Sequence, residues 1–383
     1  MQDPRNSAIA DVLPPSGLPQ TGLPRATSKP RARNLAVDTL RLIAVFGVVC
    51  LHAQPFISDR LVGHAHAWLL LGRAISYAAR FAVPFFFCAS GYFWGRKIRG
   101  GANIHAVSLA MVRRLAVIYL VWSAFYLFEA PLRSAVHAHF ARPPGMAVSI
   151  QWSILWNPLL LRGGPSMHLW FLPALVCTVL LAWPFVAFRK PRLLVGVSIV
   201  LYVLAVLARA YSETPIGICL SIAGHHIDTR GGPFFGSIFF VTGYLLSRYS
   251  ARRHWARWGL MLFAAGLLLQ VTEIWLIHAL LHAPPLGVNQ QDFVFGTYAM
   301  GLGATILALA EPGWLSSVTL ARWGRLVLGI YCVHLYFVDR LWQHVRHFNS
   351  PLAELLFPIV VLLLSVATAV LLSKTRLTRS FVQ

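Results

Sequence analysis

Asp38, Arg41 and His52 stand in one apolar run, NLAVDTLRLIAVFGVVCLHAQPF, residues 34–56. Ionisable groups inside an apolar span are costly to hold in a bilayer and by default mark a functional site. From Arg41 to His52 is eleven residues, about three turns, so the two share a helix face about 16 Å apart along the axis. Asp38 lies at i,i+3 from Arg41, a spacing that permits an ion pair. Arg41 therefore cannot touch His52, and the two are not an acid–base pair. A long ligand with anionic groups at one end would meet Arg41 and present its reactive end to His52; acyl-CoA has that shape. An imidazole titrating near neutrality suits His52 to remove a proton from an acceptor hydroxyl. The competing reading is structural: Arg41 snorkels to the interface and His52 bonds a neighbouring helix.

Other positions offer weaker chemistry. Tyr331 and His334 sit one turn apart within a late apolar span, as substrate contacts or interhelical hydrogen bonds. Glu129 and Glu273 fall toward the ends of their spans, where either orients a sugar hydroxyl or faces water. Trp170 is an interfacial belt residue or a platform for a sugar ring. Ser90-Gly91 permits a close helix approach.

The elements that must position these groups follow from composition. The 383 residues are 57% hydrophobic and 12% charged, with mean hydropathy +0.64, about half the charged share of a soluble protein. Apolar runs of about 20 residues recur along the chain, long enough to cross a bilayer. They lack the alternation of barrel strands, so the fold class expected is all-α. Ten spans are expected near 35–56, 74–95, 111–131, 168–188, 193–210, 232–248, 257–278, 292–311, 325–345 and 352–373, forming one membrane domain over 34–378. Residues 1–33, rich in Pro and Arg, cannot build a core and read as a disordered cytoplasmic tail.

Net charge of +21 would suggest nucleic acid in a soluble protein. Here the basic residues are dispersed between apolar spans, so no nucleic-acid partner is expected and the charges read as topology signals. The tail and alternate loops hold 22 of the 33 Lys and Arg residues, and the opposite loops hold seven. Both termini are therefore expected in the cytoplasm. Cys50, Cys88, Cys177, Cys219 and Cys332 show no paired or metal-like spacing and read as small buried apolar residues.

The opening Asp38-Thr-Leu-Arg41 followed by His52 resembles the signature of the acyltransferase 3 family. The resemblance continues through VPFFFCASGYFWGRK (83–97), MVRRLAVIYLVW (111–122), HLWFLPALV (168–176) and LGIYCVHLYF (328–337), in the family's order. It implies a ten-helix enzyme of the bacterial inner membrane that takes acetyl groups from cytoplasmic acetyl-CoA. The acceptors implied are cell-envelope or secreted glycans, possibly lipid-linked, with polysaccharide assembly machinery as a further partner beside membrane lipids. Arg41 and His52 match the family's essential arginine and histidine, and Arg113 and Arg114 match a basic cluster that holds the acyl donor. Val117 and Ile118 stand where many relatives have a further Arg and a Pro, which leaves open which arginine meets CoA. Guanidinium forks suit a phosphate clamp, with plain positive-inside charge as the competing reading.

The expected reaction is O-acetylation of a sugar hydroxyl, with His52 as base, Asp38 as a second catalytic residue, and no metal. Some relatives carry a fused esterase-like domain; the chain ends ten residues after the last expected span, so none is expected here. Two rivals remain. Outer-loop histidines (His64, His66, His137, His139, His225, His226, His278, His282) suggest a metal-binding membrane protein. A glycan-precursor transporter or flippase is the other, with Pro84 and the Ser90–Tyr92 and Thr242–Tyr244 echoes leaving some room for broken helices or a repeat.

Overall fold

The computed structural model describes residues 34–57, 66–141, 164–212, 214, 229–281, 292–345 and 348–382, whose regular secondary structure is all helical, with no strand among them. The segment 1–33 lies outside them, as do His64, His225, His226 and His282 and the side chains of His137 and His139.

Helix α1, Leu35–Ala53, begins where the Asn34 side chain accepts the Val37 amide at 2.7 Å, an N-cap that satisfies one orphan donor. Its other end turns sharply through Gln54 and Phe56, both at positive φ. The Phe56 amide donates to Glu354 Oε2 at 3.0 Å, and Glu354 is fully buried. That buried acceptor pins the hook that follows His52.

Helices α2, His66–Ala79, and α3, Ala82–Arg99, occupy the place of the second expected span. The break at Arg80-Phe81 has a covalent cause: a proline ring clashes with the carbonyl four residues before it, and Pro84 would meet that of Arg80. Helix α4, Ile104–Ala141, is longer than the expected third span. A 3-10 turn, Met167–Trp170, leads into α5, Phe171–Ala187, followed by α6, Pro191–Arg209, and α7, Gly236–Leu246. Then come α8, Trp255–Leu281, α9, Phe295–Leu309, α10, Val327–Val345, and α11, Pro351–Ser373.

Among the described residues, seven segments are long and apolar enough to cross a membrane: Leu35–Ala53, His66–Arg99, Ile104–Glu129, Met167–Ala187, Pro191–Arg209, Trp255–Ala279 and Pro351–Ser373. Helices α7 and α9 are apolar but shorter, and α10 carries His334, Asp339 and Arg340. Those are the segments by which the seven differ from the ten expected from hydropathy.

Packing between α3 and α7 explains the Ser-Gly-Tyr and Thr-Gly-Tyr echo. A Cβ on Gly91 would stand 1.9 Å from the Phe240 carbonyl oxygen, and one on Gly243 would stand 1.9 Å from that of Cys88. Each glycine admits the other helix's backbone, the close approach that small residues allow between membrane helices. Glu273 of α8 serves α9: its carboxylate accepts the amides of Phe295 and Gly296, both at 3.1 Å. An acid at a helix N-terminus satisfies free donors and opposes the positive end of the dipole.

Candidate active site

Three histidines from distant parts of the chain meet inside the bundle. His52 comes from the last turn of α1, His168 from the 3-10 turn before α5, and His334 from the middle of α10. Ring centroids are 5.0 Å apart for His52–His334, 5.1 Å for His168–His334 and 6.4 Å for His52–His168. His168 and His334 are buried, while His52 is half-buried.

Hydrogen-bond partners fix the roles of the ring nitrogens. A carbonyl oxygen only accepts, so a ring nitrogen facing one must carry the proton. His334 Nδ1 faces the Tyr331 carbonyl at 2.6 Å, which leaves Nε2 of a neutral His334 as an acceptor. That Nε2 lies 3.2 Å from His52 Nδ1, which also faces the Val48 carbonyl at 2.9 Å. His52 Nδ1–H is therefore shared between two acceptors, and the lone pair of neutral His52 is on Nε2. His168 spends both nitrogens: Nε2 on the Cys332 carbonyl at 3.1 Å and Nδ1 on the Ser166 hydroxyl at 2.9 Å. The three rings thus do not aim lone pairs at a common point. Among the described residues no group of three or more His, Cys, Asp or Glu is arranged to hold a metal ion.

Two cavities approach this cluster from opposite ends. The first, about 500 Å³, is lined by His52, Gln54, Arg80, Trp170, Arg230, Asp292, Asp339 and Trp342 among others. The second, about 920 Å³, has Arg41, Lys97, Asn103, Arg114 and Arg325 along its walls, with Phe86, Phe171 and Tyr331. Both volumes fall in the usual small-molecule range or at its top, roughly 300–1,000 Å³. The lining passes from one cavity to the other within about one helical turn on three elements. It does so between Pro84 and Phe86, between Trp170 and Phe171, and between Tyr331 and Leu335. One turn is about 5.4 Å along an axis, so a thin layer containing the histidine cluster separates two chambers.

The residues singled out by spacing fall into place unevenly. Arg41 lines the larger cavity, its NH1 3.0 Å from Asp38 Oδ1 and its guanidinium 4.9 Å from the Phe93 ring centroid. Asp38 is buried on the other side of that pair, and Gly324 leaves no room for a Cβ against its backbone, 2.6 Å from the Asp38 carbonyl oxygen. Asp38 thus orients Arg41 and lines neither cavity. Arg114 lines the larger cavity, whereas Arg113, exposed on the same helix, lines neither. Trp170 lines the smaller cavity. Tyr331 lines the larger one, and its hydroxyl donates to the His168 carbonyl. Glu129 is ion-paired with Arg340, whose guanidinium lies 5.3 Å from the Tyr336 ring centroid, and lines neither cavity. Glu273 is taken up by capping α9 and by the Tyr211 hydroxyl at 3.0 Å. Burial and Glu273 together push the Tyr211 phenol up, so it remains a donor.

His168, Arg80 and Arg230 were not reached from spacing. His168 begins the HLWFLPALV segment, where an ionisable group beside an apolar run was the available signal. Arg80 precedes a proline-marked helix break, which carries the same message.

Among known proteins, the family model described as an acyltransferase domain matches residues 34–374. An amino-acid racemase of Enterococcus faecalis is 26% identical over 250 residues, which is 62% of this chain and 32% of that protein. A serine/alanine racemase of Enterococcus gallinarum is 25% identical over 251 residues, 62% of this chain and 33% of that protein. The chain therefore spans about a third of the length of these curated relatives. No solved structure matches.

Proposed function

Because this chain belongs to the acyltransferase 3 family, we propose that it moves an acetyl group from cytoplasmic acetyl-CoA to a hydroxyl of an extracytoplasmic carbohydrate. The acceptor is an exopolysaccharide, an O-antigen or a lipid-linked repeat unit. The observation that carries this reading is the pair of cavities on either side of the histidine layer, one basic and one lined by His52 and tryptophans. A membrane acyltransferase must bring a charged soluble donor and an acceptor together from opposite sides. The bias of Lys and Arg in the loops puts the Arg41 end in the cytoplasm.

In this scheme Arg41, Arg114, Arg325 and Lys97 hold the phosphates of the donor, with Asp38 keeping Arg41 in place. The thioester extends toward the layer of Phe86, Phe171 and Tyr331. His52 Nε2 takes the proton of the acceptor hydroxyl as its oxygen attacks the thioester carbonyl carbon. The carbon–sulfur bond breaks as the ester forms, and CoA leaves as the thiol once it receives a proton. General-base help of this kind contributes about 10²- to 10⁴-fold. His334 keeps the His52 proton on Nδ1, and Trp170 and Trp342 give sugar faces an apolar surface.

Purified protein in lipid nanodiscs, supplied with acetyl-CoA labelled in the acetyl group, tests the reading. Label should pass to an added polysaccharide acceptor with release of free thiol. Movement of a glycan precursor across the bilayer without acetyl-CoA, and no label transfer, would replace the acyltransferase with a transporter.

A further inference from the structure

His168 is buried at 1% exposure, and it lines neither cavity. The residues beside it do line them: Met167 and Trp170 border the smaller cavity, and Phe171 borders the larger. The turn that carries His168 is therefore itself part of the layer between the two chambers. A 3-10 turn of four residues has poor hydrogen-bond geometry and little stability of its own, so its neighbours must fix it.

That fixing comes from α10. His168 Nε2 faces the Cys332 carbonyl at 3.1 Å, and the Tyr331 hydroxyl donates to the His168 carbonyl. Because the Cys332 carbonyl only accepts, the imidazole proton is on Nε2, and Nδ1 accepts from the Ser166 hydroxyl at 2.9 Å. The same Cys332 carbonyl also accepts the Tyr126 hydroxyl at 2.8 Å, which ties α4 to this point. Around the His168 ring stand Tyr126, Tyr331 and His334, with centroids 5.3, 5.5 and 5.1 Å away. A buried polar group whose bonds are all satisfied holds its surroundings in one arrangement.

A thioester brought to this layer meets two competing nucleophiles, the acceptor hydroxyl and water. When water attacks the thioester carbonyl carbon, the carbon–sulfur bond breaks and acetate, a proton and the CoA thiol are released. Excluding water is what keeps a reactive acyl group for its proper acceptor. We propose that His168 is a positioning residue that seals the layer, locking the Met167–Trp170 turn onto α10 so that water does not reach the thioester. The inference rests on the acetyl-transfer reading above.

The test is the fate of acetyl label in nanodiscs, counted as free acetate and as acceptor ester, with acetate release also measured without acceptor. His168→Ala leaves a buried carbonyl short of its donor, a cost that should open the layer about tenfold more often. Acetate release without acceptor should rise by that factor, at an unchanged KM for acetyl-CoA. His168→Gln keeps a side-chain N–H for the Cys332 carbonyl and should bring acetate release most of the way back. Tyr331→Phe removes the second tie to the turn and should raise acetate release in the same direction. A fall in transfer with no rise in the absolute rate of acetate release would overturn the proposal, as would failure of the glutamine to rescue or an unchanged Tyr331→Phe. Those results would leave wild-type transfer, and with it the enzyme reading, in place. Wild type that moves no label to any acceptor would instead remove the enzyme reading and this proposal together.

Discussion

His334 Nε2 lies 3.2 Å from His52 Nδ1, although 282 residues separate the two in the chain. This contact, with the Val48 carbonyl, leaves His52 Nε2 as the nitrogen with a lone pair. His334 is thus a positioning residue for the proposed base.

Replacing His334 should therefore act through His52. His334→Ala is expected to lower kcat about a hundredfold, the scale of a misplacement near 1 Å, with the KM for acetyl-CoA unchanged. Residues that act as a unit are non-additive, so His52→Ala combined with His334→Ala should be no worse than His52→Ala alone. Steady-state kinetics of the three variants checks this, and multiplied losses would mean the two act independently.

The two arginines of α4 should separate. Arg114 lines the basic cavity and Arg113 does not. Loss of a charge-assisted hydrogen bond, about 1.5–3 kcal/mol, corresponds to about tenfold or more in affinity. Arg114→Ala should raise the KM for acetyl-CoA by that factor while Arg113→Ala leaves it close to wild type. The same KM effect in both would reduce them to a general positive surface.

Legibility in the sequence was high wherever one helix carried the signal. The Asp38–Arg41–His52 stripe was readable because polar residues stand out in an apolar run, and helix geometry fixes which share a face. The Asp38–Arg41 pair is formed at the predicted spacing. The histidine cluster was only half readable: His334 was singled out, but periodicity within one helix carries nothing about its approach to His52. His168 escaped because it sits in a 3-10 turn at the mouth of a helix, outside any amphipathic pattern. Arg80, Arg209 and Arg340 lie within apolar segments as Arg41 does, so the rule that picked out Arg41 applied to them too. The α2–α3 break was encoded in Pro84, whose ring acts on residue 80.

Helix crossing at Gly91 sets the position of α3 and hence of both cavity walls. Gly91→Ala puts a methyl group into the Phe240 carbonyl, and forced overpacking costs about 1–3 kcal/mol. Thermal unfolding in nanodiscs should show a lower midpoint for Gly91→Ala. An unchanged midpoint would mean that α3 and α7 part at little cost.

Glu354 holds the hook after α1 by accepting the Phe56 amide. Leaving a buried donor without its acceptor costs about 1–3 kcal/mol. Glu354→Ala should lower the unfolding midpoint and reduce turnover with little change in donor KM. Glu354→Gln retains an acceptor oxygen and should restore most of both. Failure of the glutamine to rescue would show that the negative charge itself is required.

The most direct test of the central claim is the acetate content of surface and secreted polysaccharide, read by proton NMR. The cells compared lack this protein and are complemented with wild type or with His52→Ala shown to insert normally. The account predicts that wild type restores the acetyl signal and His52→Ala does not. Equal restoration by both would contradict it, removing His52 from the reaction and leaving the two-chamber arrangement without its proposed base.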